Sequence, residues 1–145
     1  MLRIKNMHCE QIRRHAEKEY PRECCGILMG KFGAGDRTVD SIVQCTNAAD
    51  GSQQTTYVID PRELIRAQRE ARERGLEIVG FYHSHPDHPA RPSPSDLEQA
   101  HWIGCSYLIV GVSTGKTRET KSFLLDGRLE EDKRFTEEEL FLDQG

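Results

Sequence analysis

The sequence predicts an α/β fold, a mixed central β-sheet with flanking helices. Three observations carry this. Segments of helical period alternate with apolar runs of strand length along the chain. Two of those runs, "LEIVGFYH" and "CSYLIVGVS", are almost continuously apolar, as strands covered on both faces are. No repeat or low-complexity linker interrupts the 145 residues, a length that suits one domain around a single core. The expected domain is 1–145, with an acidic C-terminal tail from about 128.

The elements follow in order. Cys9, Ile12, Ala16 and Tyr20 fall at helical spacing, and Pro21 closes that helix. "CCGILMGKF" and "RTVDSIVQCT" read as strands joined through the Gly-rich turn "GAGD". A polar loop, "NAADGSQQT", leads into a short strand, "TYVID". In "DPRELIRAQREARERG" Asp60 is the cap and Pro61 takes the first helical position. Leu64, Ala67 and Ala71 share a face of this helix, and Gly75 stops it. The two apolar strands come next, separated by a segment that opens a short helix, and "ETKSFLLDG" is a further strand.

Composition narrows the function. The net charge of −4 is concentrated from Arg128 onward, where seven acids face three bases, and the preceding residues balance. No basic face points to nucleic acid, and the acidic tail reads as a solvated helix or strand end. No apolar run approaches the ~18 residues of a membrane span, and the N-terminus lacks a targeting segment, so a soluble protein is expected. Five cysteines without a C-x-x-C fit neither a disulfide framework nor a zinc finger and suit a reducing cytoplasm.

One segment concentrates the chemistry. "GFYHSHPDHPARPSPSDLEQA", Gly80 to Ala100, holds three of the six histidines and four of the six prolines. Residues two apart on a strand point the same way, so His83 and His85 aim at one point while Ser84 faces away. Two nitrogen donors on one rigid segment begin a zinc site, and a catalytic zinc needs a third protein ligand. Asp96 is the candidate and His88 a rival. "SPSD" also makes Ser93 an N-cap with Asp96 at N3 of a capping box, a reading compatible with ligation. Without a metal, His83 and His85 are simply hydrogen-bonded strand-end histidines.

His83-Ser84-His85-Pro86, then Ser93 and Asp96, match the H-[ST]-H-P-x(6)-S-x-x-D signature of the JAMM (MPN+) metalloproteases, which the chain resembles over roughly residues 8 to 126. "PRECCGILMG" supplies the upstream glutamate and glycine of that family as Glu23 and Gly26. The resemblance implies a cytidine-deaminase-like sheet and one Zn²⁺ held by His83, His85 and Asp96. It makes Glu23 the general base and acid, and Ser93 a hydrogen-bond donor to the oxyanion or the zinc water. The implied substrate is a peptide or isopeptide bond after the C-terminal Gly-Gly of a ubiquitin-like protein. The compact chain is most similar to standalone prokaryotic members, which implies a sulfur-carrier protein or its cysteine adduct. Cysteine, a peptide extension and a lysine side chain all stand as leaving groups.

Three other readings are weighed beside it. Cys24 and Cys25 suggest a Cys/His hydrolase, although buried strand cysteines are usually inert. A non-catalytic scaffold would have lost ligands that are all present here. A nucleobase deaminase needs H-x-E and P-C-x-x-C, which the sequence lacks. For the partner, "QQTTYVID" is a candidate strand for β-augmentation by an extended tail, or an ordinary strand with Tyr57 and Ile59 in the core.

Overall fold

The computed structural model describes residues 1–144. Its strands are β1 (Leu2–Lys5), β2 (Cys25–Phe32), β3 (Arg37–Cys45), β4 (Glu77–Pro86), β5 (Ser106–Ser113), β6 (Lys116–Asp126), β7 (Arg134–Glu138) and β8 (Leu140–Asp143). They form one sheet in the order β7-β6-β5-β4-β2-β3-β1-β8. The helices are α1 (Asn6–Glu19), α2 (Pro61–Glu73) and α3 (Pro94–Gln99). The sheet is mixed, as the sequence predicts: β4 and β5 run parallel, whereas β2 pairs antiparallel with both β3 and β4. Among the described residues no helix is long and apolar enough to cross a membrane.

Instead of a single core, the sheet separates two main ones. Cys9, Ile12 and Ala16 of α1 pack with Leu28, Tyr82 and Leu108 on one side. Ala67 and Ala71 of α2 pack with Ile27, Phe81 and Tyr107 on the other. β4 feeds both, and its alternation is re-phased once. Leu28 pairs with Gly80 but Met29 with Ile78, which leaves Val79 as an extra residue, a β-bulge. Beyond the bulge Phe81, His83 and His85 share the α2 side. Gly26 is required on β2, because a Cβ there would lie 2.1 Å from the Tyr82 ring. That ring is held by a 2.8 Å hydrogen bond between the Tyr82 hydroxyl and His15 Nδ1.

The acidic stretch builds structure. β7 and β8 occupy opposite ends of the strand order, yet only Glu139 separates them in sequence. Leu2 N–H donates to the Glu139 carbonyl at 2.9 Å, so the sheet curls until one continuous segment carries both of its ends. The closure buries Glu138. Its Oε2 accepts from the Ser106 hydroxyl at 2.6 Å and the Ser122 hydroxyl at 2.8 Å, and Arg37 pairs with its Oε1. Burial alone would raise the Glu138 carboxyl, but these hydroxyls and the Arg37 charge outweigh it and hold it below the ordinary value.

Two further expectations need correction. "TYVID" is not a strand; among its residues only Ile59 makes a β-bridge, to Asn47. The Val58 N–H bonds the Asn47 side chain at 3.2 Å, so a side chain stands where a strand partner would. The tail is not a solvated end, since Arg134–Glu138 and Leu140–Asp143 are sheet strands.

Candidate metal centre

β4 delivers His83 and His85 at its C-terminal end, both almost fully buried. A proline-rich turn then leads to α3, where Ser93 Oγ accepts from Asp96 N–H at 3.0 Å and Asp96 Oδ2 accepts from Ser93 N–H at 2.9 Å. This capping box fixes the carboxylate before any ligand arrives. Its Oδ2 lies 3.0 Å from His85 Nε2 and 3.3 Å from His83 Nε2, and the two Nε2 atoms are 3.1 Å apart. A tetrahedral site with bonds of about 2.0–2.1 Å separates its ligand atoms by about 3.3 Å. The donor triangle therefore has the size a zinc ion needs, and its set of two imidazoles and one carboxylate suits that metal.

The surroundings set the histidine tautomer. His85 Nδ1 lies 2.9 Å from the Pro89 carbonyl, which can only accept, so Nδ1 carries the proton and a neutral His85 presents a lone pair at Nε2. Tyr57 stacks on His83 with ring centroids 4.5 Å apart, and His83 Nδ1 is buried without a partner among the described residues. Burial lowers the His83 pKa. For His85 the same effect is outweighed by the hydrogen bonds to Asp96 and Pro89, which raise it. Burial also pushes against ionised Asp96, yet its hydrogen bonds to the two histidines hold it well below the usual carboxylate range.

Glu23 lies between α1 and β2 with only 4% of its surface exposed, and its Oε1 is buried without a partner among the described residues. Burial pushes its carboxyl up to about 8, with the His85 charge opposing and Asp96 adding to the rise. Its backbone is clamped on both sides: N–H to the Gln53 carbonyl at 2.6 Å, and C=O from Asn47 Nδ2 at 3.1 Å. Ser84, facing away from the histidines, accepts from Cys24 N–H at 2.8 Å and ties this segment to β4. A cavity of about 320 Å³ opens beside the carboxyl, lined by Glu23, Thr55, His85, Pro89, Arg91 and Ser93.

Residues 5–126 match the family described as prokaryotic homologs of the JAB domain. The chain belongs to that family. This JAB domain is 35% identical over 116 residues to a probable TtuB-protein conjugate cleaving protease of Thermus thermophilus, covering 80% of this chain and 70% of that one. It is 30% identical over 119 residues to the CysO-cysteine peptidase of Mycobacterium tuberculosis, covering 81% and 79%. A solution structure of a Desulfitobacterium hafniense protein is similar at 34% identity and a TM-score of 0.84, over 100% of this chain and 94% of that one.

The JAB domain brings His83, His85 and Asp96 together and sets Glu23 and Ser93 on the adjoining cavity. His88 also lines that cavity but is outside the donor triangle. Cys24 and Cys25 do not resemble nucleophiles: burial pushes the Cys24 thiol up to about 12 and raises that of Cys25 as well. Sequence reasoning missed Asn47 and the Pro89 carbonyl, because a side-chain clamp and a lone carbonyl leave no periodic trace. The sequence places Tyr57 on a strand, and only its stacking on His83 reveals its place.

Proposed function

We propose that this JAB domain is a zinc-dependent peptidase or isopeptidase that hydrolyses the bond after the C-terminal Gly-Gly of a ubiquitin-like protein, a sulfur-carrier protein or its cysteine adduct. The whole activity resides in one domain, 1–145. The observation that carries this reading is three donor atoms 3.0 to 3.3 Å apart beside a buried carboxyl that has an unpartnered oxygen. The names of the two relatives support the substrate class, one a protease of TtuB-protein conjugates and the other a CysO-cysteine peptidase.

In this reading His83, His85 and Asp96 hold the ion, and no other protein side chain is needed to hold it. When bound, zinc supplies Lewis-acid charge that polarises a carbonyl and acidifies water. Glu23 takes a proton from the attacking water and delivers it to the departing amine. Burial raises its pKa toward the working pH, which makes it a stronger base than an ordinary glutamate and lets it hold the proton between the two steps. Ser93 Oγ uses a lone pair to cap Asp96, which leaves its own O–H proton free to donate to a developing oxyanion.

Elemental analysis of wild type and Asp96→Ala tests the metal. About one zinc per chain is expected in the wild type and little in the variant. Activity is assayed on a panel of Gly-Gly-ended ubiquitin-like proteins, each joined to one further residue, to a peptide, or to a lysine side chain. Cleavage that phenanthroline stops and iodoacetamide spares is expected. Folded wild type that takes up no zinc and cleaves nothing would leave a scaffold as the better description.

A further inference from the structure

The segment between His85 and Asp96 holds the backbone of a cationic residue in place. The Pro89 carbonyl accepts both from His85 Nδ1 at 2.9 Å and from Arg91 N–H at 2.8 Å, so one oxygen ties the Arg91 backbone to a histidine of the donor triangle. Between them Ala90 is fully buried and its N–H donates to Glu119 Oε2 at 3.1 Å. Pro89 and Pro92 restrict the backbone on either side. The Arg91 side chain itself is exposed at the cavity beside Glu23, and its guanidinium has no ion pair or hydrogen bond among the described residues. A fixed backbone position thus carries an unpaired guanidinium whose five N–H donors are free to bind an anion in the cavity.

Position within the reaction identifies the anion. Glu23 delivers its proton to the departing amine, so the released group lies in Glu23's cavity. At about 320 Å³ this cavity is near the lower limit of ligand sites, which start at roughly 300 Å³. A single residue released from the tail carries its α-carboxylate two bonds from the departing nitrogen, inside that space. A lysine side chain offers an apolar stem there and no negative charge.

We propose that Arg91 is a specificity residue that reads the free α-carboxylate of the leaving group. The preferred substrate is then a Gly-Gly tail extended by one residue, not a protein joined through an internal lysine. The step is balanced by water alone: its hydroxyl goes to the glycine carbonyl carbon, the C–N bond breaks, and a proton passes to the amine. This inference rests on the peptidase reading above.

The test uses the zinc-loaded full chain and the carrier it cleaves in the panel assay, extended by a single alanine as free acid or as carboxamide. A wild type that cleaves no carrier defeats the peptidase reading, and this inference with it, before Arg91 is changed. Otherwise the free acid should be preferred about tenfold in kcat/KM, through KM, and the preference should shrink in high salt. In Arg91→Ala and Arg91→Gln the ratio of the two rates should fall to about one, and Arg91→Lys should recover part of it. Dissociation constants measured on the Glu23→Gln protein should repeat the same ratios without turnover. Equal rates in the wild type, a preference that survives in both Arg91→Ala and Arg91→Gln, or faster cleavage of the lysine-linked conjugate overturns the proposal.

Discussion

The side-chain amide of Asn47 donates to the Glu23 carbonyl at 3.1 Å and to the Thr56 carbonyl at 3.0 Å, while its oxygen accepts from the N–H groups of Ala49 and Val58. Both donors and both acceptor positions are used. Glu23 and the loop that carries Thr55 and Tyr57 are thereby one unit, so the wall of the cavity and the proposed base move together. Asn47→Asp keeps the shape and the acceptors but loses both donors. It should cost about 1–3 kcal/mol in urea unfolding and lower kcat roughly tenfold or more with zinc content unchanged. Wild-type kcat in this variant would remove Asn47 from any positioning role.

Glu23→Gln should retain zinc and stability while kcat falls by about 10²–10⁴, because the amide can neither take nor give the proton. Ser93→Ala should cost ~10²–10³ in kcat as an oxyanion donor, and about 1 kcal/mol of stability as a helix cap. Calorimetry beside steady-state kinetics separates the two losses. A Ser93→Ala protein that is destabilised but fully active would leave the serine as a cap only.

The buried Glu138 should make stability depend on acid. Its folded-state pKa is lowered, so its contribution is complete above the unfolded value of about 4.3 and is lost as pH falls through the lower, folded value. Glu138→Gln should be most destabilising near pH 7, by about 3–5 kcal/mol, since the Arg37 charge is then left buried beside a neutral group. The gap between variant and wild type in urea midpoints should narrow from about pH 5 downward. A gap that is constant from pH 7 to pH 3 would mean the carboxylate charge contributes nothing.

At Gly26 the added methyl of alanine must displace the Tyr82 ring, which His15 holds in place. Gly26→Ala should therefore cost at least about 1–3 kcal/mol, the usual range for overpacking. The double variant Gly26→Ala/Tyr82→Phe should recover part of the loss, since it removes both the hydroxyl that would lie 2.5 Å from the methyl and the His15 hydrogen bond that holds the ring. An unchanged thermal midpoint in the single variant would show that the ring gives way freely.

Much of the scaffold was legible because it rests on local rules. The Asp60 cap and Pro61 start α2, and the Asp60 side chain accepts from Arg62 N–H at 2.8 Å as such a cap should. The period of two in His83-Ser84-His85 is a property of any strand and put the imidazoles on one side. β1 escaped notice because four residues are too few for a pattern, although Leu2 and Ile4 are both buried. Arg37 with Glu138 and Asn47 with Glu23 join residues far apart in sequence, and no periodicity encodes such pairs. The acidic residues after Arg128 read as solvated by composition, and only the closure of the sheet gives Glu138 its buried partners.

That closure also bears on how the protein behaves in company. A sheet flank with free N–H and C=O groups is a template on which other chains can stack. One segment covers β6 from Ser122 to Asp126 and β1 from Leu2 to Lys5, and the strands it places at the two ends of the order, β7 and β8, are five and four residues long and bear Glu137 and Asp143. Loss or proteolytic detachment of residues 134–143 would uncover the flanks of β6 and β1 at once. The expected fate of such a chain is self-association through its strands, seen as light scattering at concentrations where the intact chain stays clear.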